Sequence, residues 1–282
     1  MIQDKMKSAP KEVREYHSSS AGLFFKVEKR LHSEESPFQK IEIFENGTFG
    51  KVLFLDGLVQ TSEGDEFFYH EMLVHPAFVS HPAPKTCLII GGGDGGTLKE
   101  VLHYPLDYAC LVEIDPEVIK VCQKFFPWLD ETLRDERAEL VVADGEKFIN
   151  TTEQKYDIVL IDSSEPVGPS SILHEQKFYV KLKQRLNPGG IVVAQVGSPF
   201  YHLGFLKKKA GLLKKIYSVV HFYLGPVPTY PGGTWCYAFL SNDIQPDDVK
   251  GTPPPGLKYY NLAIHRGAFA LPGFMDDLSA NQ

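Results

Sequence analysis

The residues best placed to do chemistry are a run of glycines that ends an apolar stretch, and the carboxylates that follow it at the ends of later apolar stretches. Cys87-Leu-Ile-Ile-Gly-Gly-Gly-Asp-Gly-Gly-Thr97 reads as a buried strand that bends sharply into a helix. Gly91 and Gly93 let the backbone there lie against a nucleotide-like ligand. The spacing also satisfies the dinucleotide fingerprint, so NAD stays open, as does a plain tight turn. Leu111-Val-Glu113 ends the next apolar run about twenty residues on, where an acidic group can accept from both ribose hydroxyls. Asp144 and Gly145 follow the third run, and Asp162-Ser-Ser-Glu165 the fourth. Several such ends on one sheet edge point to a ligand site, because ligands of open α/β sheets bind at the carboxyl ends of the strands.

Asp94 narrows the ligand. A carboxylate inside the glycine turn repels a pyrophosphate but attracts an ammonium or sulfonium group. S-adenosyl compounds are cationic at sulfur. Intact S-adenosylmethionine brings a carboxylate that Asp94 disfavours, whereas the decarboxylated form does not. Asp162 and Glu165 flank a serine pair and suit a diamine, which arrives doubly protonated and needs one base to free a nucleophilic lone pair. Displacement at a sulfonium carbon requires no metal, since the leaving thioether is neutral.

Two kinds of element must position these groups. Residues 22–60 alternate apolar and polar positions around Asn46-Gly47 and Asp56-Gly57, the strongest short hairpin signals. They predict strands at 23–28, 39–44, 51–55 and 58–60. A helix at 67–79 follows Asp65-Glu66, and His81-Pro-Ala-Pro84 breaks it. Beyond it, apolar strands at 86–90, 108–113, 139–142, 156–161, 190–195, 218–224 and 234–240 alternate with helices at 97–103, 116–125, 145–150, 175–185 and 204–217. This predicts a Rossmann-like α/β fold: a seven-stranded, mostly parallel sheet with helices on both faces. A small N-terminal antiparallel β-domain precedes it. The expected boundaries are 1–64 and 65–282, with Thr252-Pro-Pro-Pro255 a stiff linker to a short tail.

Bulk properties agree. The 282 residues carry 29 basic and 36 acidic side chains, a formal net charge of −7, which suits a cationic small molecule better than nucleic acid or an anionic membrane. Cys87, Cys110, Cys122 and Cys236 have no paired spacing and read as reduced, buried thiols. The first twenty residues lack the apolar core of a signal peptide, and no run reaches membrane-span length. A cytoplasmic location is expected.

Taken together, Gly91-Gly-Gly-Asp-Gly-Gly96, Asp162-Ser-Ser-Glu-Pro-Val-Gly-Pro169 and Pro228-Thr-Tyr-Pro-Gly-Gly233 resemble signatures of the spermidine synthase family. So do Asp65-Glu-Phe-Phe-Tyr-His-Glu-Met72 and Tyr259-Tyr-Asn261 with Ile264-His-Arg-Gly-Ala-Phe-Ala-Leu-Pro272. The resemblance runs from about Leu23 to the C-terminus. It implies transfer of an aminopropyl group from decarboxylated S-adenosylmethionine, a co-substrate rather than a cofactor, to putrescine or a related diamine. The products are spermidine and methylthioadenosine. It also implies the methyltransferase type of Rossmann-like fold and a homodimer or homotetramer; on the charge balance and the sulfonium chemistry above, no metal, nucleic acid or membrane partner is expected.

By the same resemblance, Asp162 orients and deprotonates the attacking amine, assisted by Tyr69. Asp94 and Asp162 hold the donor's ammonium, Glu113 its ribose, Asp144 with Gly145 its adenine, and Gln39 and His70 its flank. Glu165 and Tyr230 bind the diamine, with Gln195 and Gln60 near it. The family usually has Asp where Glu165 stands. The extra methylene pushes the carboxylate farther into the acceptor channel and should alter preference for acceptor length, with Gly197 leaving compensating room. The stretch Pro166 to His174 is expected to close over both substrates.

Other readings compete. A small-amine methyltransferase is disfavoured by Asp94, an NAD dehydrogenase by the lack of a hydride-transfer constellation, and a non-catalytic polyamine sensor by intact Asp162, Tyr69 and Asp94. His70 and His75 are five apart, not the four of a zinc helix. Lys207-Lys-Lys209 and Lys214-Lys215 read as the wet face of a helix. Tyr69 and Tyr230 taken alone read as core or rim aromatics, and the Ser163-Ser164 pair lacks a matched histidine.

Overall fold

A computed structural model describes residues 10–163, Leu173 and residues 175–278. The chain forms two compact units, Met1–Asp65 and Glu66–Gln282.

The first unit is antiparallel. A hairpin, β1 (Glu12–Tyr16) and β2 (Gly22–Lys26), precedes a four-stranded meander of β3 (Lys29–Glu35), β4 (Lys40–Asn46), β5 (Gly50–Leu55) and β6 (Leu58–Ser62). The buried carboxylate of Glu15 accepts from the Val59 N–H (2.8 Å) and ties hairpin to meander. Asp56 and Gly57 both take positive φ, 50° and 80°, as a two-residue hairpin turn between twisted strands requires. Asn46 works differently from expectation. Its side-chain oxygen accepts from the Thr48 and Phe49 N–H groups (2.9 and 3.0 Å), and Gly50, not Gly47, takes the left-handed φ.

The second unit opens with α1 (Glu66–Ser80). It continues with β7 (Thr86–Gly91), α2 (Gly96–Val101), β8 (Tyr108–Glu113), α3 (Pro116–Phe125), α4 (Pro127–Thr132), β9 (Ala138–Val142), α5 (Gly145–Thr151), β10 (Tyr156–Asp162), α6 (Gln176–Gln184), β11 (Leu186–Gly197), α7 (Leu203–Leu213), β12 (Val219–Pro226), β13 (Thr234–Ser241) and α8 (Leu262–Ala268). The strands form one seven-stranded sheet in the order β12-β13-β11-β10-β7-β8-β9. All pairs from β11 to β9 are parallel, and β13 is antiparallel to both its neighbours. Alternate residues feed two cores. Leu88, Ile90, Val159 and Ile161 pack with α5, α6 and α7, while Cys87, Ile89, Ile158 and Leu160 pack with α1 and α2. The four cysteines are free and buried. Among the described residues no helix is long and apolar enough to cross a membrane.

The α1 helix is buried from Tyr69 to Ser80 and carries Pro76 inside it. A proline there removes the N–H that would meet the carbonyl four residues back. That carbonyl, of Met72, instead accepts from the Tyr223 hydroxyl (2.8 Å).

Two expectations are corrected. The segment after 252–255, expected as a short tail beyond a stiff linker, is tied back to α1. Its Lys258, Tyr259 and Tyr260 N–H groups all donate to the buried Glu71 carboxylate on α1 (2.8, 2.9 and 2.7 Å). Asn261 then caps α8. Lys209 is not on the wet face of its helix: it is buried, with Nζ 4.2 Å from the Tyr179 ring centroid. Burial pushes its ammonium down to about 7. A lysine stem packs as readily as an apolar chain, so a run of lysines does not mark a solvated face by itself.

Candidate active site

The sheet order reverses between β7 and β10, and the crevice at such a switch point is where α/β sheets bind ligands. The register pairs Asp162 with Gly91, so the end of β10 lies directly against the glycine turn.

The glycines make room for the acidic and imidazole side chains around them. A Cβ on Gly92 would stand 2.6 Å from Asp162 Oδ2, and one on Gly93 would stand 2.9 Å from Glu113 Cγ. One on Gly96 would stand 2.0 Å from His70 Cε1. No side chain fits at these positions without displacing a candidate site residue.

Asp162 is held at both oxygens. The Tyr69 hydroxyl donates to Oδ1 (2.7 Å) and the Thr97 hydroxyl to Oδ2 (2.5 Å). Burial raises the proton affinity of Asp162, the charge of Asp94 adds to it, and His70 with the two hydroxyls opposes. The carboxyl therefore sits above its ordinary range. Burial, then the charge of Asp162, holds Tyr69 well above its usual value, so it stays a hydrogen-bond donor.

Asp94 Oδ1 accepts from the Gly96 N–H (2.9 Å), and Oδ2 lies 3.5 Å from His70 Nε2. His70 Nδ1 lies 2.8 Å from Glu66 Oε2. Burial disfavours the imidazolium, but Asp94 and Glu66 outweigh it and hold His70 well above its usual value.

Glu113 ends β8 with Oε1 accepting from the Asp115 N–H (2.9 Å). Burial lifts its carboxyl to about 7 against that bond. Asp144 caps α5, with Oδ1 accepting from the Glu146 and Lys147 N–H groups (2.9 and 3.3 Å). Gly145 is the first residue of that helix.

Across the crevice, Gln195 on β11 is committed at both ends. Its Oε1 accepts from Trp235 Nε1 (3.0 Å) and its Nε2 donates to the Ser163 carbonyl. The Tyr230 ring lies 5.5 Å from the Tyr69 ring and 4.8 Å from that of Trp235.

The structure thus gathers Tyr69, His70, Gly91, Gly93, Asp94, Glu113, Asp162, Gln195 and Tyr230 along the carboxyl ends of β7, β8, β10 and β11, with Asp144 and Gly145 beyond β9. Gln39 and Gln60 belong to the N-terminal unit, where Gln39 precedes β4 and Gln60 lies on β6. Glu165 and the stretch 166–172 fall outside the described residues. Room at Gly197 is limited, because a Cβ there would lie 3.0 Å from His202 Nδ1.

Thr97, Glu66, Lys99, Trp128 and Trp235 were not anticipated. Two were legible: Thr97 follows the glycine run directly, and Glu66 precedes His70 by one helical turn. Trp128 and Trp235 carry no local signal, since only the fold brings them to the site.

Comparison with known proteins adds an independent line. Residues 66–249 match the family model described as the spermine/spermidine synthase domain, and residues 13–63 match the spermidine synthase tetramerisation domain. A polyamine aminopropyltransferase of a Thermoanaerobacter species is 40% identical over 256 residues, covering 90% of this chain and 92% of the relative. That of Bacillus subtilis is 39% identical over 267 residues, covering 94% and 97%. The crystal structure of a spermidine synthase in complex with the transition-state analogue AdoDATO superposes with a TM-score of 0.91 at 38% identity, covering 95% of this chain and 94% of that one.

Proposed function

Because the chain belongs to the spermine/spermidine synthase family, we propose that it moves the aminopropyl group of decarboxylated S-adenosylmethionine to putrescine or a related diamine, giving methylthioadenosine and spermidine. The observation that carries this reading is the Asp162 carboxylate, gripped by Tyr69 and Thr97 at the switch point with Asp94 beside it.

In this reading a diamine ammonium gives its proton to Asp162, whose raised proton affinity suits it to act as a base nearer neutral pH. The freed lone pair attacks the aminopropyl carbon bonded to sulfur, the new C–N bond forms, and the C–S electron pair returns to sulfur as a neutral thioether. Asp94 and Asp162 hold the donor's ammonium, His70 and Gln39 its flank, Glu113 its ribose, and Asp144 with Gly145 its adenine. Tyr230, Glu165, Gln195 and Gln60 bound the acceptor. The internal commitment of both ends of Gln195 suits it to shape that wall rather than to bond the amine. The donor is consumed as a co-substrate, and no separate cofactor enters. The match of residues 13–63 supports a homo-oligomer, and four free, buried cysteines suit the cytosol.

The test is to incubate the purified chain with decarboxylated S-adenosylmethionine and, separately, putrescine, cadaverine, agmatine and longer amines, following methylthioadenosine by chromatography. Release that depends on an amine supports the reading and identifies the acceptor. Methyl transfer from intact S-adenosylmethionine would replace it with a methyltransferase. Spermidine binding without any release would leave a sensor.

A further inference from the structure

Behind the Asp94 carboxylate stands a closed ring of polar contacts in which Glu66, Lys99 and Trp128 have no role in the transfer reading. Glu66 on α1 bonds His70 through Oε2, and its other oxygen takes the Lys99 ammonium at 2.7 Å. Lys99, on α2, also reaches Glu100 (3.2 Å) and lies 5.5 Å from the Trp128 ring centroid, within the range of a cation–π contact. Trp128 Nε1 donates to the Asp94 main-chain carbonyl (2.9 Å). The path Lys99, Glu66, His70, Asp94, Trp128 returns to Lys99. Asp94 is therefore fixed at both ends, its carboxylate by His70 and its backbone by Trp128, and Lys99 touches both arms.

The ring leaves His70 one orientation. Glu66 holds Nδ1, Asp94 faces Nε2, and the bare Cα of Gly96 lies under the edge of the ring. Tyr69 packs edge-on to it at 5.3 Å between centroids, and Asp162 adds a further negative charge within electrostatic reach. The two carboxylates favour the imidazolium, which can present an N–H to each of them. Without the Glu66 charge that preference weakens and the ring loses its anchor at Nδ1, so its hold on Asp94 loosens.

We propose that Glu66 and Lys99 are positioning residues which, through His70, hold the Asp94 carboxylate in place for the ammonium of the donor's aminopropyl chain. This inference rests on the donor reading given above.

Methylthioadenosine separates the two, because it carries the adenosine thioether without the ammonium or the sulfonium. Calorimetric binding of decarboxylated S-adenosylmethionine and of methylthioadenosine is compared across the full-length chain, Glu66→Gln and Lys99→Gln. Both variants are expected to lose about five- to thirtyfold in donor affinity, as an interaction of one to two kcal/mol would give. Their methylthioadenosine affinity should stay within about twofold, and donor KM should rise more than kcat falls. Equal losses for both ligands, or no loss for the donor, would overturn the inference. If Glu66→Gln fails to fold, Lys99→Gln, whose side chain is partly exposed, decides the matter alone. A wild-type chain that binds methylthioadenosine but not the donor would remove the donor reading and this inference with it, before any variant is compared.

Discussion

Asp162 could be found in the sequence because it ends an apolar run as Glu113 does, on the sheet edge that also carries the glycine turn and Asp144. Its environment could not. The hydroxyl of Thr97 reaches Asp162 from a helix 65 residues earlier in the chain, and that pairing exists only because β7 and β10 are sheet neighbours. The environment sets a testable pH dependence. Burial and Asp94 raise the Asp162 pKa, so the basic form is lost as pH falls through a value above the ordinary carboxylate range. The acid limb of the kcat/KM profile should lie there. Thr97→Val removes a donor that favours the ionised form, so the limb should move to higher pH, and Thr97→Ser should return it. A profile unchanged in the valine variant would show that Thr97 does not govern the base. Asp162→Asn should leave donor binding measurable and lower turnover about 10²- to 10⁴-fold, the usual contribution of a positioned base.

Most elements of the second unit were legible from apolar runs and glycine breaks, because buried parallel strands advertise themselves by composition. The elements that were missed are polar or short. The β3 strand reads Lys-Arg-Leu-His-Ser-Glu-Glu, with no apolar alternation to mark it, and α8 has only seven residues. Also illegible was Glu71, an acidic residue in an apolar helix whose partners lie nearly two hundred residues away, at Lys258 to Tyr260. Its carboxylate takes three main-chain N–H groups and straps the C-terminal segment to the helix that carries Tyr69 and His70. Glu71→Ala would take the acceptor from all three N–H groups, of which those of Lys258 and Tyr259 are part-buried and that of Tyr260 is buried. Each unsatisfied buried group costs about 1–3 kcal/mol, and partial relaxation should leave a net loss of about 2–5 kcal/mol. Urea unfolding of the two proteins measures this directly. A loss under about 0.5 kcal/mol, the range of ordinary surface substitutions, would mean that the strap is not a structural tie.

At the scale of the molecule, one sheet places the site at its switch point, whereas the N-terminal unit leaves an unusual surface uncovered. Its β1–β2 hairpin has only two strands, and such ribbons are marginal alone. One face carries Glu15 and Phe25, both buried. The other carries Arg14 opposite Phe24, followed by Tyr16. Tyr16 and Phe24 are 67% and 61% exposed, which places two aromatic rings in water on the same face of a ribbon with open edges. Residues 13–63 match a tetramerisation-domain model, and a second copy of the chain is the partner that would cover this face. Phe24→Glu puts a charge where the contact would form, yet leaves the buried face untouched. Sedimentation velocity across a range of protein concentrations should then show a smaller assembly than the wild-type chain forms, while circular dichroism stays the same. If the variant sediments as the wild type does at every concentration, the outer face of the hairpin plays no part in assembly, and the meander strands become the surface to test.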